Sequence, residues 1–259
     1  MAFEFDGQKY KQASKHQKLM GRELISELEL TGTETILDLG CGDGLLTEEL
    51  AQLVPKGQVI GIDASLGMIE TAKKSQCFNL TFLHRDINDI AFHEKFDVVF
   101  SNATLHWIKD HRRLLHNIFC SLKPDGFVRY NFAGDGNCAN LFYVLRATMA
   151  ESIFAAYFEN FDWPWYMPKL DDYERLVNES EFRAKKVWGK VTDAYFGSVD
   201  EMIGWIDQPC LVPFLGYIDN EEHKNQFRDI VIQHMIRRTR QDDGRCFETG
   251  RRINVLAHK

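Results

Sequence analysis

Residues 35–44 read TILDLGCGDG, and this stretch decides the fold. Its first five residues are a short, mostly apolar run that ends in glycines, a pattern typical of a buried strand. Residues 45–54 (LLTEELAQLV) then place apolar side chains at helical spacing. Glycines let the backbone turn tightly and approach a ligand, and the start of a helix offers N–H groups without intrahelical partners. The stretch predicts a strand, a ligand-binding turn and a helix.

The same alternation continues towards the C-terminus. Further strands are predicted at 58–62, 80–84, 96–101 and 127–133, and further helices at 65–75 and 111–122. Strand 96–101 is almost continuously apolar, as expected for a strand buried on both faces. Alternating strands and helices predict an α/β fold, a parallel sheet with helices on both faces. Ligands of such sheets bind at the carboxyl ends of the strands.

The second half of the chain has a different pattern. Helices are predicted at 140–160, 171–180, 199–206 and 221–238, and strands at 186–195 and 251–257. The simplest assembly adds both strands to the sheet as an antiparallel edge pair and places the helices over the strand ends. We therefore expect an α/β core at 1–135, a helical cap insertion at 136–185, and the last two strands within 186–259, with a second cap insertion at 198–241.

Composition is that of a globular protein. The 259 residues are 44% hydrophobic and 27% charged, and 31 basic against 38 acidic side chains give a net charge of −7. Proteins that bind nucleic acid through phosphate contacts are normally basic, so we expect no nucleic-acid partner. No apolar run reaches the roughly 18 residues of a membrane span, and the N-terminus MAFEFDGQKYKQ lacks the apolar core of a signal peptide. We expect no membrane association and a cytoplasmic location, while the oligomeric state stays open.

The six cysteines favour neither a metal site nor a disulfide framework. None of them forms a CxxC pair, and their spacings are wide and irregular. We expect reduced, mostly buried thiols and no bound metal.

Two kinds of ligand compete for the glycine turn. A dinucleotide site has the pattern G-x-G-x-x-G/A, but here Leu45 occupies the last position and the third glycine comes one residue early, at Gly44. Asp38, two residues before Gly40, disfavours a pyrophosphate and favours a cationic ligand. Asp63 follows Gly40 by 23 residues, the spacing of an acid that binds ribose hydroxyls. A cationic adenosine derivative, S-adenosylmethionine, therefore fits better than the nicotinamide cofactor of a dehydrogenase.

Five segments in order carry a family resemblance: ILDLGCGDG (36–44), VIGIDAS (59–65), HRDI (84–87), FDVVFSNATLHW (96–107) and LKPDG (122–126). Together they resemble class I S-adenosylmethionine-dependent methyltransferases over roughly residues 10–135. The resemblance implies a Rossmann-like, seven-stranded, mostly parallel sheet with an antiparallel last strand and a helical cap, and S-adenosylmethionine as the cofactor.

The resemblance also implies contacts to the methionine and ribose parts of the cofactor. Gly40, Gly42 and Gly44 would line the methionine moiety, with Asp38 nearby, and Asp63 would hold the ribose hydroxyls. The residues themselves leave simpler alternatives open. The glycines could form only a tight turn, and Asp63 could be a helix cap.

On the adenine side, the resemblance implies that Ala64 and Met68 flank the ring. Asp86 would bind the amino group, and Ile87 would donate its backbone N–H to the ring. Asp86 could instead be an ordinary turn residue, and Met68 could belong to the core.

Near the transferable methyl group, the resemblance places Asn102 and Ala103, at the end of the fourth strand. In relatives an N-terminal helix covers the cofactor with aromatic and glutamine side chains, and Tyr10 and Gln17 are the candidates here.

The methyl acceptor is indicated less directly. Residues 102–107 (NATLHW) lack the Asn/Asp-Pro-Pro-Tyr/Phe signature expected for methylation of an amide or adenine nitrogen. The segments GWIDQPCLVPFLGYID (204–219) and DDGRCFETGRRINVLA (242–257) resemble trans-aconitate methyltransferases, whereas YKQASKHQKLMGREL (10–24) resembles malonyl-carrier-protein methyltransferases. Both families esterify a carboxylate, so we expect a small organic acid as the acceptor.

A carboxylate acceptor needs a cation more than it needs a base, because it is already ionised at neutral pH. The candidate catalytic residues are Arg251 and Arg252, to hold the acceptor, and His106, to polarise it. His106 would serve as a base if the acceptor were a hydroxyl or an enol carbon, or it could simply be a packed histidine. Trp163, Trp165 and Tyr166 could line the acceptor pocket or fill the core of the cap.

Two other functions remain open. The acceptor could be a carbon or nitrogen of a quinone, a lipid or an amine. Alternatively, the protein could bind S-adenosylmethionine without catalysis and act in regulation.

Overall fold

The structure is a computed structural model that describes residues 3–8, 10, 14–75 and 77–259. Residues 11–13 of the N-terminal stretch quoted above lie outside this description. The chain forms two compact units. The first contains residues 1–135, 165–190 and 252–259, and the second contains 136–164 and 191–251.

The first unit is built on a seven-stranded sheet. Its strands are β1 (Thr35–Leu39), β2 (Gln58–Asp63), β3 (Leu80–His84), β4 (Phe96–Asn102), β5 (Leu122–Ala133), β6 (Arg183–Val191) and β9 (Arg251–His258), numbered along the chain. Their order is β3-β2-β1-β4-β5-β9-β6. Strands β1 to β5 pair in parallel, whereas β9 runs antiparallel to β5. The predicted fold class is confirmed.

Helices cover the sheet of the first unit. They are α1 (Lys15–Ser26), α2 (Leu45–Leu53), α3 (Leu66–Ala72), α4 (His111–Ser121) and α6 (Leu170–Asn178). Neighbouring apolar residues of one strand enter different cores: Ile36 packs with α1 and α2, and Leu37 packs with α4 and α6. This explains why the central strands are continuously apolar rather than alternating.

The second unit contains α5 (Ala139–Met149), α7 (Val199–Trp205), α8 (Val212–Leu215) and α9 (Glu221–Thr239), with a two-stranded sheet of β7 (Ala194–Phe196) and β8 (Cys246–Glu248). Its packing is aromatic: Phe154 and Phe158 of the 150s contact Phe227 of α9 at ring distances of 5.1 and 5.4 Å. No helix in the described part of the chain is long and apolar enough to cross a bilayer.

Several predicted elements have different bounds in the structure. The strand predicted at 186–195 is divided, because β6 ends at Val191 and β7 belongs to the separate two-stranded sheet. Between them, Thr192 N donates to Gly250 O and Gly250 N donates to the Asp193 carboxylate. The helix predicted at 140–160 ends at Met149 and is followed by a short 3₁₀ turn, Ala155–Phe158. The predicted boundaries of the two cap insertions stay a prediction.

Candidate functional site

The order of strands places a crevice between β1 and β4. The chain runs outwards from β1 through β2 to β3, then returns to place β4 and β5 on the other side of β1. The loops that follow β1 and β4 therefore diverge at the carboxyl edge, which is where open α/β sheets bind ligands.

The glycine turn after β1 is held in one conformation. Gly40, Gly42 and Gly44 have φ angles of +75°, +55° and +82°, a region that other residues rarely adopt. Gly40 N and Cys41 N both donate to Ile62 O at 2.9 Å, which ties the turn to β2. The turn is thus a rigid backbone surface.

The three glycines have different surroundings. A Cβ on Gly40 would lie 2.1 Å from the Thr104 side chain, and one on Gly44 would lie 2.8 Å from Ala72 Cβ. Among the described residues, only the ring of Tyr10 comes within 4 Å of a Cβ built on Gly42, with Cε1 at 3.8 Å. Gly40 and Gly44 therefore permit close packing, and Gly42 leaves the side facing Tyr10 open to a ligand.

Asp38 lies buried beneath this turn. Thr47 Oγ1 donates to its Oδ2 at 2.7 Å. Burial, with a smaller contribution from the negative charge of Asp63, raises the pKa of Asp38 to about 7. A cation placed nearby would stabilise the ionised form and lower this pKa.

Asp63 joins the glycine turn to the next loop. Its Oδ2 accepts from Gly42 N at 3.0 Å and its Oδ1 from Ser65 N at 2.9 Å. Burial raises its pKa. The cap of α3 is not Asp63 but Ser65, whose hydroxyl accepts from Met68 N at 3.3 Å. Each carboxylate oxygen has a second lone pair, so Asp63 can still accept from ribose hydroxyls.

The adenine side consists of the loops after β2 and β3. Met68 and Ile87 are buried, and Ala64 is partly exposed. Asp86 caps the short turn Ile87–Asp89, because its Oδ1 accepts from Asn88 N at 2.8 Å. The local role of Asp86 is therefore structural, and its contact with adenine stays a prediction.

The N-terminal segment also reaches this side. The carboxylate of Glu4 accepts from Ser65 Oγ, Leu66 N and Gly67 N at 2.6 to 3.1 Å. The sequence alone gave no sign of this contact, because Glu4 is distant in sequence from all of its partners.

Asn102 ends β4 at the crevice, and Ala103 follows it. Asn102 Nδ2 donates to Gln17 O at 2.9 Å, and its Oδ1 accepts from Asn131 Nδ2 at 3.1 Å. Ala103 has a φ of +56°, and its N–H donates to Asn131 O at 3.0 Å. Asn131 was missed from the sequence, although it is paired with Asn102 in the sheet register. Backbone strain of this kind is commonest at functional sites.

These residues fit S-adenosylmethionine on three observations. Gln17 Oε1 is buried without a hydrogen-bond partner in the described part of the chain and could accept from the ammonium group. The turn at Gly42 leaves space for the methionine moiety. Asp38 and Asp63 supply negative charge and acceptors for a cationic nucleoside.

The structure brings two of the three candidate catalytic residues together. His106 belongs to the 3₁₀ turn Leu105–Trp107 after β4, and Arg252 lies at the start of β9, beside Ala133 of β5. Burial, followed by the positive charge of Arg252, lowers the pKa of His106 to about 3. His106 Nδ1 is buried and has no hydrogen-bond partner among the described residues, and the residue as a whole is partly buried.

Arg251 has a different environment. Its guanidinium forms an ion pair with Asp193 and also donates to Gly250 O at 2.7 Å. The two adjacent arginines therefore differ in environment: Arg251 is paired with Asp193, whereas Arg252 is the arginine whose charge acts on His106.

The three predicted aromatic residues, Trp163, Trp165 and Tyr166, also lie in different environments. Trp165 and Trp107 have ring centroids 5.4 Å apart, and Tyr166 N donates to His106 O at 2.7 Å. Trp163 instead packs against Phe142 and Phe214 of the second unit at 5.1 and 5.6 Å. Trp165 and Tyr166 are thus candidates for the acceptor side.

Among the described residues, no group of three or more His, Cys, Asp or Glu side chains could hold a metal ion. The six cysteines are free thiols.

Known proteins resemble the chain in sequence and in fold. It is 36% identical over 130 residues to malonyl-(acyl-carrier protein) O-methyltransferase of Bacillus anthracis, an alignment covering 48% of each chain, so it spans about half the length of that relative. It is 42% identical over 91 residues to trans-aconitate 2-methyltransferase of Deinococcus radiodurans, covering 35% of this chain and 34% of the relative.

Among solved structures, phosphoethanolamine N-methyltransferase 2 of Haemonchus contortus, with phosphomonomethylethanolamine and S-adenosylhomocysteine, superposes with a TM-score of 0.61 at 19% identity. It covers 98% of this chain and 56% of that protein, a likeness of fold. The family of methyltransferase domains matches residues 36–126, the segment that contains the glycine turn, Asp63, Asp86 and the loop after β4. The family resemblance predicted from the five sequence segments is confirmed over this range: residues 36–126 match the family of methyltransferase domains.

Proposed function

We propose that the protein is an S-adenosylmethionine-dependent methyltransferase that esterifies a carboxylate of a small organic acid. The observation that carries the choice of acceptor is the position of Arg252, whose positive charge acts on a neutral His106 in the loop after β4. The names of two relatives, a malonyl-carrier-protein and a trans-aconitate methyltransferase, agree with a carboxylate.

In this proposal the cofactor binds in the crevice between β1 and β4. Asp63 would hold the ribose hydroxyls, Gln17 Oε1 would accept from the ammonium group, and the backbone at Gly42 would border the methionine moiety. When bound, the cofactor supplies a methyl group activated by a sulfonium.

The acceptor is held by Arg252 in this proposal. A guanidinium forms strong, charge-assisted hydrogen bonds with a carboxylate, and it stays protonated throughout. A carboxylate oxygen forms the new bond to the methyl carbon, the carbon–sulfur bond breaks, and the electron pair leaves with sulfur. Opposite charges disappear in this step, which a dry site favours.

The state of His106 distinguishes the possible acceptors. A hydroxyl or enol acceptor must lose a proton, and a base whose pKa is about 3 accepts it poorly at neutral pH. A carboxylate has no proton to lose. An amine acceptor would be disfavoured by the positive charge of Arg252.

The wider setting belongs to the same proposal. The acceptor is a small molecule, with neither nucleic acid nor membrane as partner, and the reaction takes place in the cytoplasm. The net charge of −7 and the six free thiols support this setting.

The test combines a substrate panel with matched arginine variants. The protein is incubated with methyl-labelled S-adenosylmethionine and a panel of organic acids, carrier-protein-bound acids, quinones and amines, and products are identified by mass. We expect a base-labile ester. Arg252→Gln should lower kcat/KM for the acceptor by about 10–100-fold, because a hydrogen bond to a charged group contributes ~1.5–3 kcal/mol.

Arg251→Gln is the control and should leave kcat/KM within about twofold, since Arg251 is paired with Asp193. A base-stable product, or equal losses in the two variants, would contradict the carboxylate assignment. Calorimetry that showed tighter binding of NAD than of S-adenosylmethionine would contradict the cofactor.

A further inference from the structure

We propose that His111 is a positioning residue for His106: its neutral imidazole holds the carbonyl of Leu105 and so sets the turn that presents His106 to the acceptor. The inference rests on the proposed function and adds a residue outside the acceptor site itself. His111 is the first residue of α4 and is buried behind the turn.

The hydrogen bonds of His111 define which nitrogen carries the proton. Nε2 lies 3.0 Å from Leu105 O, and Nδ1 lies 2.8 Å from the Tyr173 hydroxyl. A carbonyl oxygen can only accept, so the proton is on Nε2. Nδ1 then carries the lone pair and accepts from Tyr173.

The chain of hydrogen bonds continues to Tyr130. The hydroxyls of Tyr173 and Tyr130 are 2.9 Å apart, and both side chains are fully buried. Because Tyr173 gives its only proton to His111, Tyr130 must be the donor to Tyr173. The protons therefore run in one direction, from Tyr130 through Tyr173 and His111 to Leu105 O. Burial lowers the pKa of His111 to about 4, which keeps the imidazole neutral at physiological pH.

The turn is held on both sides of His106. His111 binds the carbonyl before it, and Tyr166 N donates to the carbonyl of His106 itself at 2.7 Å. The rings of His111 and Tyr166 pack together at 4.8 Å. Since His106 Nδ1 has no partner within the described residues, the position of its ring depends on this backbone clamp and on packing.

Kinetics test the proposal with variants of one helix. His111→Phe keeps an aromatic ring but removes the donor to Leu105, and we expect kcat/KM for the acceptor to fall by about 10–100-fold, the effect of misplacing a group by ~1 Å. His111→Gln restores a donor and should recover part of the activity. Affinity for S-adenosylmethionine should not change. His116→Phe, at an exposed position of the same helix, is the control and should retain full activity.

Nuclear magnetic resonance supplies a readout that needs no acceptor. Imidazole proton–nitrogen spectra of the wild-type protein should show His111 protonated at Nε2 and bare at Nδ1, and the His106 signals should shift in His111→Phe but not in His116→Phe. A proton on Nδ1 of His111, or unchanged His106 signals in folded His111→Phe, would overturn the proposal. If these spectra are as expected but no carboxylate is methylated, the positioning role stands and the proposed function fails.

Discussion

At the scale of single residues, Asp63 serves the fold and the proposed ligand at once. Its two oxygens accept from Gly42 N and Ser65 N, which fixes the carboxylate between two loops before any ligand arrives. A fixed acceptor loses little conformational freedom on binding. This preorganisation makes Asp63 the strongest candidate for the ribose contact.

Replacing Asp63 should therefore weaken cofactor binding. We expect Asp63→Ala to raise the free energy of binding of S-adenosylmethionine by about 1–3 kcal/mol, because ribose hydroxyls would be left unpaired. Isothermal titration calorimetry measures the effect, and Asp89→Asn, at an exposed aspartate, is the control. Unchanged affinity in Asp63→Ala would remove this residue from the site.

Single residues also show which parts of the candidate site can be predicted from the sequence and which cannot. The motif pattern predicts Asp38, Asp63 and the glycines as site residues, because all of them lie in one short stretch of the chain, from β1 through α2 to the end of β2. It did not separate Arg251 from Arg252, since their difference arises from Asp193, Ala133 and His106, which are distant in sequence. Asn131 and His111 were missed for the same reason.

At the scale of elements, the glycine turn fits tightly against α3. A Cβ on Gly44 would lie 2.7 Å from Phe82 and 2.8 Å from Ala72, and the φ of +82° is unfavourable for any other residue. Gly204 in α7 is the opposite case, because nothing lies within 4 Å of its added Cβ. Substitution of Gly204 by alanine is therefore a suitable control for the same substitution at Gly44.

We expect Gly44→Ala to destabilise the protein by at least ~2 kcal/mol, through backbone strain and overpacking together. Gly204→Ala should instead stabilise it by about 0.5–1 kcal/mol, because alanine is the better helix former. Denaturant unfolding of both variants measures the difference. Equal changes of the same sign would contradict the packing described here.

The elements also differ in how well the sequence predicted them. Strands β1 to β4 were predicted within one residue at each end, because they are apolar runs bounded by glycine, proline or polar residues. Strand β6 was predicted three residues late and was run into β7. Thr192 and Asp193, at the break between them, form hydrogen bonds with Gly250, which is distant in sequence. Such contacts leave no periodic signal in the sequence.

At the scale of the whole molecule, the buried carboxyl of Asp38 links stability to pH. Its pKa is about 7 in the folded protein and 3.8 in its ordinary state. A raised pKa means that folding favours the protonated form, so this contribution to stability is complete below pH ~4 and is lost as the pH rises through 7. Without a cation at the glycine turn, ionised Asp38 destabilises the folded protein at pH 8.

Asp38→Asn removes this titration. The free energy of unfolding of Asp38→Asn, relative to wild type, should increase by about 1–3 kcal/mol from pH 5 to pH 8. The buried amide changes this free energy by the same amount at both pH values, so it does not affect the predicted increase. Urea unfolding of the ligand-free proteins at the two pH values measures the change, with Asp89→Asn as the control. A difference that is the same at both pH values would show that Asp38 is ionised throughout.

The position of strand β9 determines when the sheet can be completed during folding. It comes after every other strand in the chain, yet in space it lies between β5 and β6. During synthesis, β6 emerges from the ribosome about 60 residues earlier and must wait for β9 before it can join the sheet. Because Arg252 belongs to β9, a nascent chain can first assemble the half that we propose to bind the nucleoside. It then acquires the cation proposed to hold the acid only when the sheet closes.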